Sequence, residues 1–229
     1  MKKCLLCEKE IELVFSWAWL LSFEPLKIPI ICKDCQQKFV SIKKEARCLG
    51  CGRQMAKKGL CLDCKKWQQT KVLLHNYAFY NYHEPFMRAY FERYKFLGDR
   101  RLSKVFSAEL TTYCRKFQKR GWLIVLIPVD QDTLQKRGFD QVESFFPKLK
   151  TNDYLYQKQK LRLKHQVAKG RSERLKGAQP FGYCGPKDLN KQNVLLVDDI
   201  YTTGSTLYHA ADLLLAHNCG RIKSVTLAR

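Results

Sequence analysis

Apolar positions along this chain follow two rhythms. Trp122-Leu-Ile-Val-Leu-Ile-Pro128-Val129 and Val194-Leu-Leu-Val197 are nearly continuous apolar runs, the mark of strands buried on both faces of a parallel sheet. Ile222 to Arg229 reads as a last strand, and Val72 to Tyr80, with period-two features, as an edge strand or strand pair. Between them the spacing turns helical. Glu84-Pro85 opens a helix carrying Phe86, Tyr90, Phe91, Tyr94 and Leu97, and Gly98 stops it. A second helix, residues 102–120, places Phe106, Leu110, Tyr113 and Phe117 on one face. Val142 to Leu149 is expected to begin a helix. Leu207 to Asn218 is expected to form another, burying Leu207, Ala210, Ala211, Leu214 and Leu215 and closing with Cys219-Gly220 as a left-handed cap. Strands alternating with helices predict an α/β fold with a parallel sheet and flanking helices. The aromatic stripes read as core packing.

The strand from Val194 runs into two carboxylates, Asp198 and Asp199, and then into Thr202, Thr203, Gly204, Ser205 and Thr206 before the next helix. Open α/β sheets bind ligands at this carboxyl edge. The loop's N–H groups, its hydroxyls and the positive end of the helix dipole suit a phosphate. Ionised carboxylates only accept hydrogen bonds, so the acidic pair suits hydroxyls or a metal. A sugar phosphate offers both halves of that complement, whereas a lone Asp-Asp pair would read as an ordinary helix cap. Lys136-Arg137-Gly138 follows the other buried strand. Arg137 and Gly138 fit either pyrophosphate contacts, through bidentate donors and close backbone approach, or a plain surface turn.

Eight of the eleven cysteines form four Cys-x-x-Cys doublets within the first 64 residues: Cys4/Cys7, Cys32/Cys35, Cys48/Cys51 and Cys61/Cys64. That is metal spacing rather than a secreted disulfide framework, and it implies a reducing cytosol. Eight thiolates suit two zinc ions, whose binding would supply folding energy that a small module lacks. Sequential pairing and an interleaved pairing, doublet one with three and two with four, fit the spacing equally. Residues 1–66 therefore read as a zinc module and 67–229 as the α/β domain. Cys114, Cys184 and Cys219 are read as small buried apolar residues, and no histidine shows triad or metal spacing.

Charge narrows the partners. The net charge of +21 favours polyanions such as nucleic acid, phosphorylated metabolites or an anionic membrane surface. From Lys158 to Lys176, cations including Lys164, Lys169, Arg171 and Arg174 outnumber Glu173 alone. This stretch reads as a flap over an anionic ligand, a nucleic-acid track, or a solvated charge run. The apolar run from Leu13 to Phe23 superficially imitates a signal peptide, but Glu8, Glu10 and Glu12 precede it and it is too short to span a bilayer. A buried hairpin is expected there, or else a docking patch for a partner or a membrane surface.

The run Val197-Asp-Asp-Ile-Tyr-Thr-Thr-Gly-Ser-Thr206 resembles the phosphoribosyl-pyrophosphate (PRPP) signature of type I phosphoribosyltransferases. The resemblance implies that Asp198 and Asp199 hold the ribose hydroxyls and that Thr202 to Thr206 hold the 5′-phosphate, with Mg²⁺ accompanying PRPP. Together with the cysteine doublets, Tyr94-Lys-Phe-Leu-Gly-Asp99, Ile127-Pro-Val129, Arg137-Gly-Phe-Asp-Gln141 and Leu227-Ala-Arg229, the chain resembles the ComF (ComFC) family of competence-associated phosphoribosyltransferase-like proteins. It departs from that family in carrying Asp140 where Asn is usual. The resemblance implies natural transformation: handling of incoming single-stranded DNA, beside the competence helicase and the uptake machinery, in the cytoplasm or at the inner face of the membrane. An active phosphoribosyltransferase of undefined acceptor is the alternative, and a zinc-dependent regulator of transcription a third reading. Glutamine-driven chemistry is not expected, since Cys4 belongs to a metal doublet and no glutaminase domain is present.

Overall fold

A computed structural model describes residues 2–12, 29–158 and 179–229. The apolar run at 13–23 and most of the basic stretch, including Lys164, Lys169, Arg171 and Arg174, lie outside the described residues.

The chain passes through α1 (Lys33–Gln37), α2 (Leu62–Thr70), β1 (His75–Tyr80), α3 (Pro85–Lys95), a 3₁₀ turn (Arg100–Leu102), α4 (Ser103–Gln118) and β2 (Leu123–Leu126). There follow α5 (Gln131–Arg137), a second 3₁₀ turn (Glu143–Phe145), β3 (Leu155–Gln157), β4 (Phe181–Tyr183), β5 (Val194–Ile200), α6 (Ser205–Ala216) and β6 (Ile222–Ala228). Strands β1-β6-β5-β2 make one sheet with every pairing parallel, and β3 and β4 form a separate antiparallel pair.

The unbroken apolar runs behave as parallel strands buried on two sides must. Along β5, Leu195 and Val197 face a core with Tyr90, Tyr94, Phe106 and Leu110 of α3 and α4, while Val194 and Leu196 face another with Leu207, Tyr208 and Leu214 of α6. Helices thus cover both faces, and the carboxyl ends of β2 and β5 open between them at Leu126 and Ile200.

Local readings needed correction where short-range chemistry prevailed over periodicity. Val142 to Leu149 forms only the 3₁₀ turn: Asp140 Oδ1 caps its start, accepting from the N–H groups of Val142 and Glu143 at 2.7 and 2.9 Å, but Pro147 stops it, since the residue before a proline is held out of the helical region and Phe146 has φ −125° and ψ 52°. An Asn oxygen would serve equally in that acceptor role. Lys136-Arg137 is not loop but the last turn of α5, capped at its start by Asp130, which accepts from Thr133 N at 2.9 Å, and at its end by Gly138 with φ 74°. The left-handed residue after α6 is Asn218, φ 56°, rather than Gly220. Cys184 is exposed, its Sγ donating to Asp153 O at 3.1 Å, whereas Cys114 and Cys219 are buried as expected.

Candidate functional site and two cysteine centres

Asp198 and Asp199 stand at the end of β5, and Gly204, with φ 90°, begins α6. That positive φ and the ring of Tyr201, whose Oη would lie 2.2 Å from any Cβ at this position, restrict position 204 to glycine. Thr203 ties the loop to the helix: its Oγ1 accepts from Ser205 N at 3.3 Å and donates to Ser205 Oγ at 3.2 Å. The first-turn amides of α6 have no intrahelical acceptor and open toward the loop.

These groups border a cleft of about 860 Å³. Asp198, Asp199, Thr202, Ser205 and Thr206 line it, as do Asp130 and Thr133 after β2, Arg137, and Arg88, Lys95 and Phe96 of α3. Thr203 and Gly204 shape the loop from behind, and Gly138 faces a neighbouring cavity instead. Arg137 donates to Gln141 Oε1, which fixes its guanidinium at the cleft wall. Lys95, which no motif argument singled out, places Nζ 2.7 Å from Asp199 Oδ2. The contact is ionic, because its direction gives that oxygen no hydrogen bond. Lys95 lies at the start of the Lys-Phe-Leu-Gly run, so the sequence held the residue without revealing its reach.

The acidic pair is electrostatically asymmetric. Asp199 is buried against Lys95. The Asp198 carboxyl is pushed up to about 8, by burial first and the neighbouring charge of Asp199 second, while the Asp199 N–H donated to Oδ1 and the Lys95 charge act the other way. Asp198 is only partly buried by accessible surface; water in the cleft therefore softens this upward push without reversing it. Across the cleft, Arg88, Lys95 and Arg137 face Glu92, Asp130, Asp198 and Asp199, a near balance of charge. His209, also in the lining, has its pKa lowered by burial, with Asp212 opposing, and so is neutral at physiological pH.

The cysteines resolve into the sequential pairing. Cys4, Cys7, Cys32 and Cys35 form one group and Cys48, Cys51, Cys61 and Cys64 another, with the sulfur atoms of each within 4.8 Å of one another. The interleaved arrangement is excluded. Tetrahedral zinc with Zn–S near 2.3 Å implies sulfur separations of about 3.8 Å; Cys7 and Cys32 are 3.7 Å apart, and Cys51 and Cys61 likewise 3.7 Å. Backbone N–H groups of Cys32 and Cys61 point at Cys4 and Cys48 sulfurs from 3.3 Å, as thiolates require. At the second group the buried guanidinium of Arg229 leaves Nε and Nη2 without hydrogen-bond partners among the described residues. The Cys51 thiol, raised chiefly by Cys48, feels that side chain acting in the opposite sense. Asp63 Oδ2 stands 3.8 Å from Arg229 Nη2, and a zinc tetrathiolate, which carries net negative charge, would add to the counter-charge of the guanidinium. Both groups therefore fit zinc.

Sequence reasoning missed the structural partner of the 202–206 loop. Trp67 of α2 donates from Nε1 to the Thr203 carbonyl at 3.0 Å and stacks on Tyr208 of α6 with centroids 4.1 Å apart. A half-exposed tryptophan after a cysteine doublet gives no hint of a partner 136 residues away.

Residues 155–229 match the phosphoribosyl transferase domain family. Over 228 residues the chain is 33% identical to competence protein ComFC of Streptococcus pneumoniae, covering 99% of this chain and 100% of that protein. Over 241 residues it is 28% identical to competence protein ComFC of Bacillus subtilis, covering 99% of this chain and 94% of the other. With a phosphoribosyltransferase-like sheet, two four-cysteine groups ahead of it and similarity running from end to end, the chain belongs to the ComFC family of competence proteins.

Proposed function

We propose that the cleft binds PRPP with Mg²⁺ and that the protein serves DNA uptake in natural transformation, handling incoming single-stranded DNA. The observation that carries the reading is the convergence of Asp198, Asp199, Thr202, Ser205 and Thr206 on one cleft with Arg88, Lys95 and Arg137. The two carboxylates accept from the ribose hydroxyls, and ionisation of Asp198 is favoured once those donors replace water. The hydroxyls and first-turn amides of the 202–206 loop hold the 5′-phosphate. The balanced charge of the described cleft leaves a pyrophosphate under-neutralised, which is the need Mg²⁺ meets. Zinc in both cysteine groups completes the proposed cofactor set.

DNA handling draws on the net charge of +21 and on the role that the relatives' name carries, competence. Neutralising DNA phosphates releases counterions, so affinity should fall steeply with salt. Among the described residues no helix is long and apolar enough to cross a membrane. We place the protein in the cytoplasm or against the membrane's inner face, beside the competence helicase and the uptake machinery.

Calorimetry with PRPP and Mg²⁺ tests the cleft: saturable binding to the wild type and little to the Asp198→Ala/Asp199→Ala protein. Equal binding by both would overturn the assignment. Anisotropy with single-stranded DNA at low and high salt tests the second half, and no binding at low salt would remove it.

A second reading, phosphoribosyl transfer, is favoured by Arg88, Glu92 and Phe96, which recur at four-residue spacing along α3 and line the same cleft. An acceptor nitrogen there would form the bond to ribose C1′ as the C1′–pyrophosphate bond breaks, losing its proton to solvent. Pyrophosphate release across a panel of bases and amines would establish it.

A further inference from the structure

The second cysteine group does not stand apart from the cleft. Cys48, Cys51, Cys61 and Cys64 share one buried cluster with Tyr201, Leu207 and Tyr208, which flank the loop and open α6. Cys64 lies within α2, and Trp67, three residues on, occupies the next turn of the same helix. From there its indole reaches the Thr203 carbonyl at 3.0 Å while its ring lies on Tyr208 at an interplanar angle of 22°. Tyr208 is fixed in turn, its Oη accepting from Leu74 N at 3.2 Å. Lys71, just beyond α2, pairs with Asp212 of α6. Helix α2 and the residue after it are thus fastened to the loop and α6 at three points, Thr203, Tyr208 and Asp212, the first of them a backbone atom of the loop.

The polarity of that atom matters. A loop that binds phosphate must turn its N–H groups toward the ligand, which sends carbonyl groups the other way. A carbonyl without a donor favours peptide orientations that exchange N–H for C=O on the ligand side. The Trp67 N–H occupies the outward carbonyl of Thr203 and so selects the orientation that presents amides to the cleft. Cys61 and Cys64 in turn set the position of α2, since Cys61 is its N-cap and Cys64 lies in its first turn.

We propose that Trp67 is a positioning residue for the sugar-phosphate loop, and that the second cysteine group, through α2, sets how well that loop holds a 5′-phosphate. The inference rests on the PRPP reading of the cleft. It makes the second cysteine group part of the construction of the sugar-phosphate loop itself, whereas the first group touches α3, on the cleft's other wall.

Trp67→Phe keeps an aromatic ring on Tyr208 and removes only the N–H donor. Loss of one neutral hydrogen bond corresponds to about a three- to tenfold weaker PRPP affinity. Phosphorus NMR separates the 5′-phosphate nucleus from the two pyrophosphate nuclei of PRPP. In the variant, the bound-state shift of the 5′ nucleus should move toward its free value while the other two keep theirs. Zinc content and unfolding midpoint should match the wild type. Cys64→Ser should reproduce the selective loss, and Cys7→Ser, in the other group, should not. Should Cys64→Ser fail to fold, Trp67→Phe decides alone.

Unchanged PRPP affinity in Trp67→Phe would overturn the proposal. So would equal displacement of all three phosphorus signals, which marks general damage to the cleft. Failure of the wild type to bind PRPP at all is a different result: it removes the PRPP reading itself, and this inference with it.

Discussion

The two four-cysteine groups have the same ligands and the same spacing within doublets, yet they belong to different parts of the molecule. In the second group all four cysteines are buried. A Cβ at Gly50 would stand 2.6 Å from Cys64 Sγ, and Asn76 of β1 joins the group to the sheet by donating to Cys51 O at 3.1 Å and to Thr226 Oγ1 of β6 at 3.0 Å. In the first group Cys7 is exposed and Cys32 half-buried. That group sits at the edge of α3, where Phe86 packs against it and Arg93 donates to the Leu5 and Leu6 carbonyls at 3.0 and 2.8 Å. Ligand spacing therefore specifies that thiols suited to a metal come together, while the surfaces around them specify how far the fold depends on each group.

The widest separation should come from the ligands themselves. Cys51→Ser is expected to lose zinc from the second group and to destabilise the chain by several kcal/mol, since structural zinc binding is folding free energy. Cys7→Ser should lose one zinc with a much smaller fall in unfolding midpoint. Calorimetric melting with metal analysis checks both, and equal losses of midpoint would erase the contrast drawn above. Gly50→Ala sharpens it without touching a ligand. The added methyl meets Cys64 Sγ at 2.6 Å, an overpacking cost of about 1–3 kcal/mol. Gly59→Ala, with nothing within 4 Å of its Cβ, should be near neutral under denaturant titration.

On the first group's side, Arg93→Ala removes two charge-assisted bonds to carbonyls and should cost about 1–3 kcal/mol or less, given partial exposure. Zinc exchange at the first group should quicken while the second keeps its rate, measured by competition with a chromophoric chelator. A last effect, reduced by the water that reaches Asp198, is one of pH. The folded chain holds the Asp198 proton up to about 8, and the unfolded chain releases it near 4. More protons are bound folded than unfolded across that window, so ligand-free stability should fall as pH rises through it. Asp198→Asn should flatten that slope, whereas Cys7→Ser should leave it intact; a slope unchanged in Asp198→Asn would show that another group carries it.

Much of this architecture was legible before any coordinates. Continuous apolar runs at 122–129 and 194–197 read as doubly buried strands, as β2 and β5 are, and the acids and hydroxyl-rich loop after the second run marked a sheet edge suited to a ligand. What failed was local. Val142 to Leu149 kept helical spacing, but Pro147, inside that run, ends it after the one 3₁₀ turn that Asp140 caps. Cys184 looked like a core residue by type, yet the short β3–β4 pair leaves it in solvent. Lys95 and Trp67 were invisible as site residues for a common reason. Their partners, Asp199 and Thr203, lie more than a hundred residues away, and single-sequence periodicity reports only which side of an element is apolar.

By itself the sequence determined the kinds of element, the acceptor and donor groups of the 198–206 stretch and the existence of eight thiols at metal spacing, because these depend on neighbours within a few residues. Tertiary structure alone decided which doublets come together, which lysine answers Asp199 and which tryptophan reaches the loop. Each of those depends on distances between segments remote in the chain, which packing of the two cores against the sheet brings within reach.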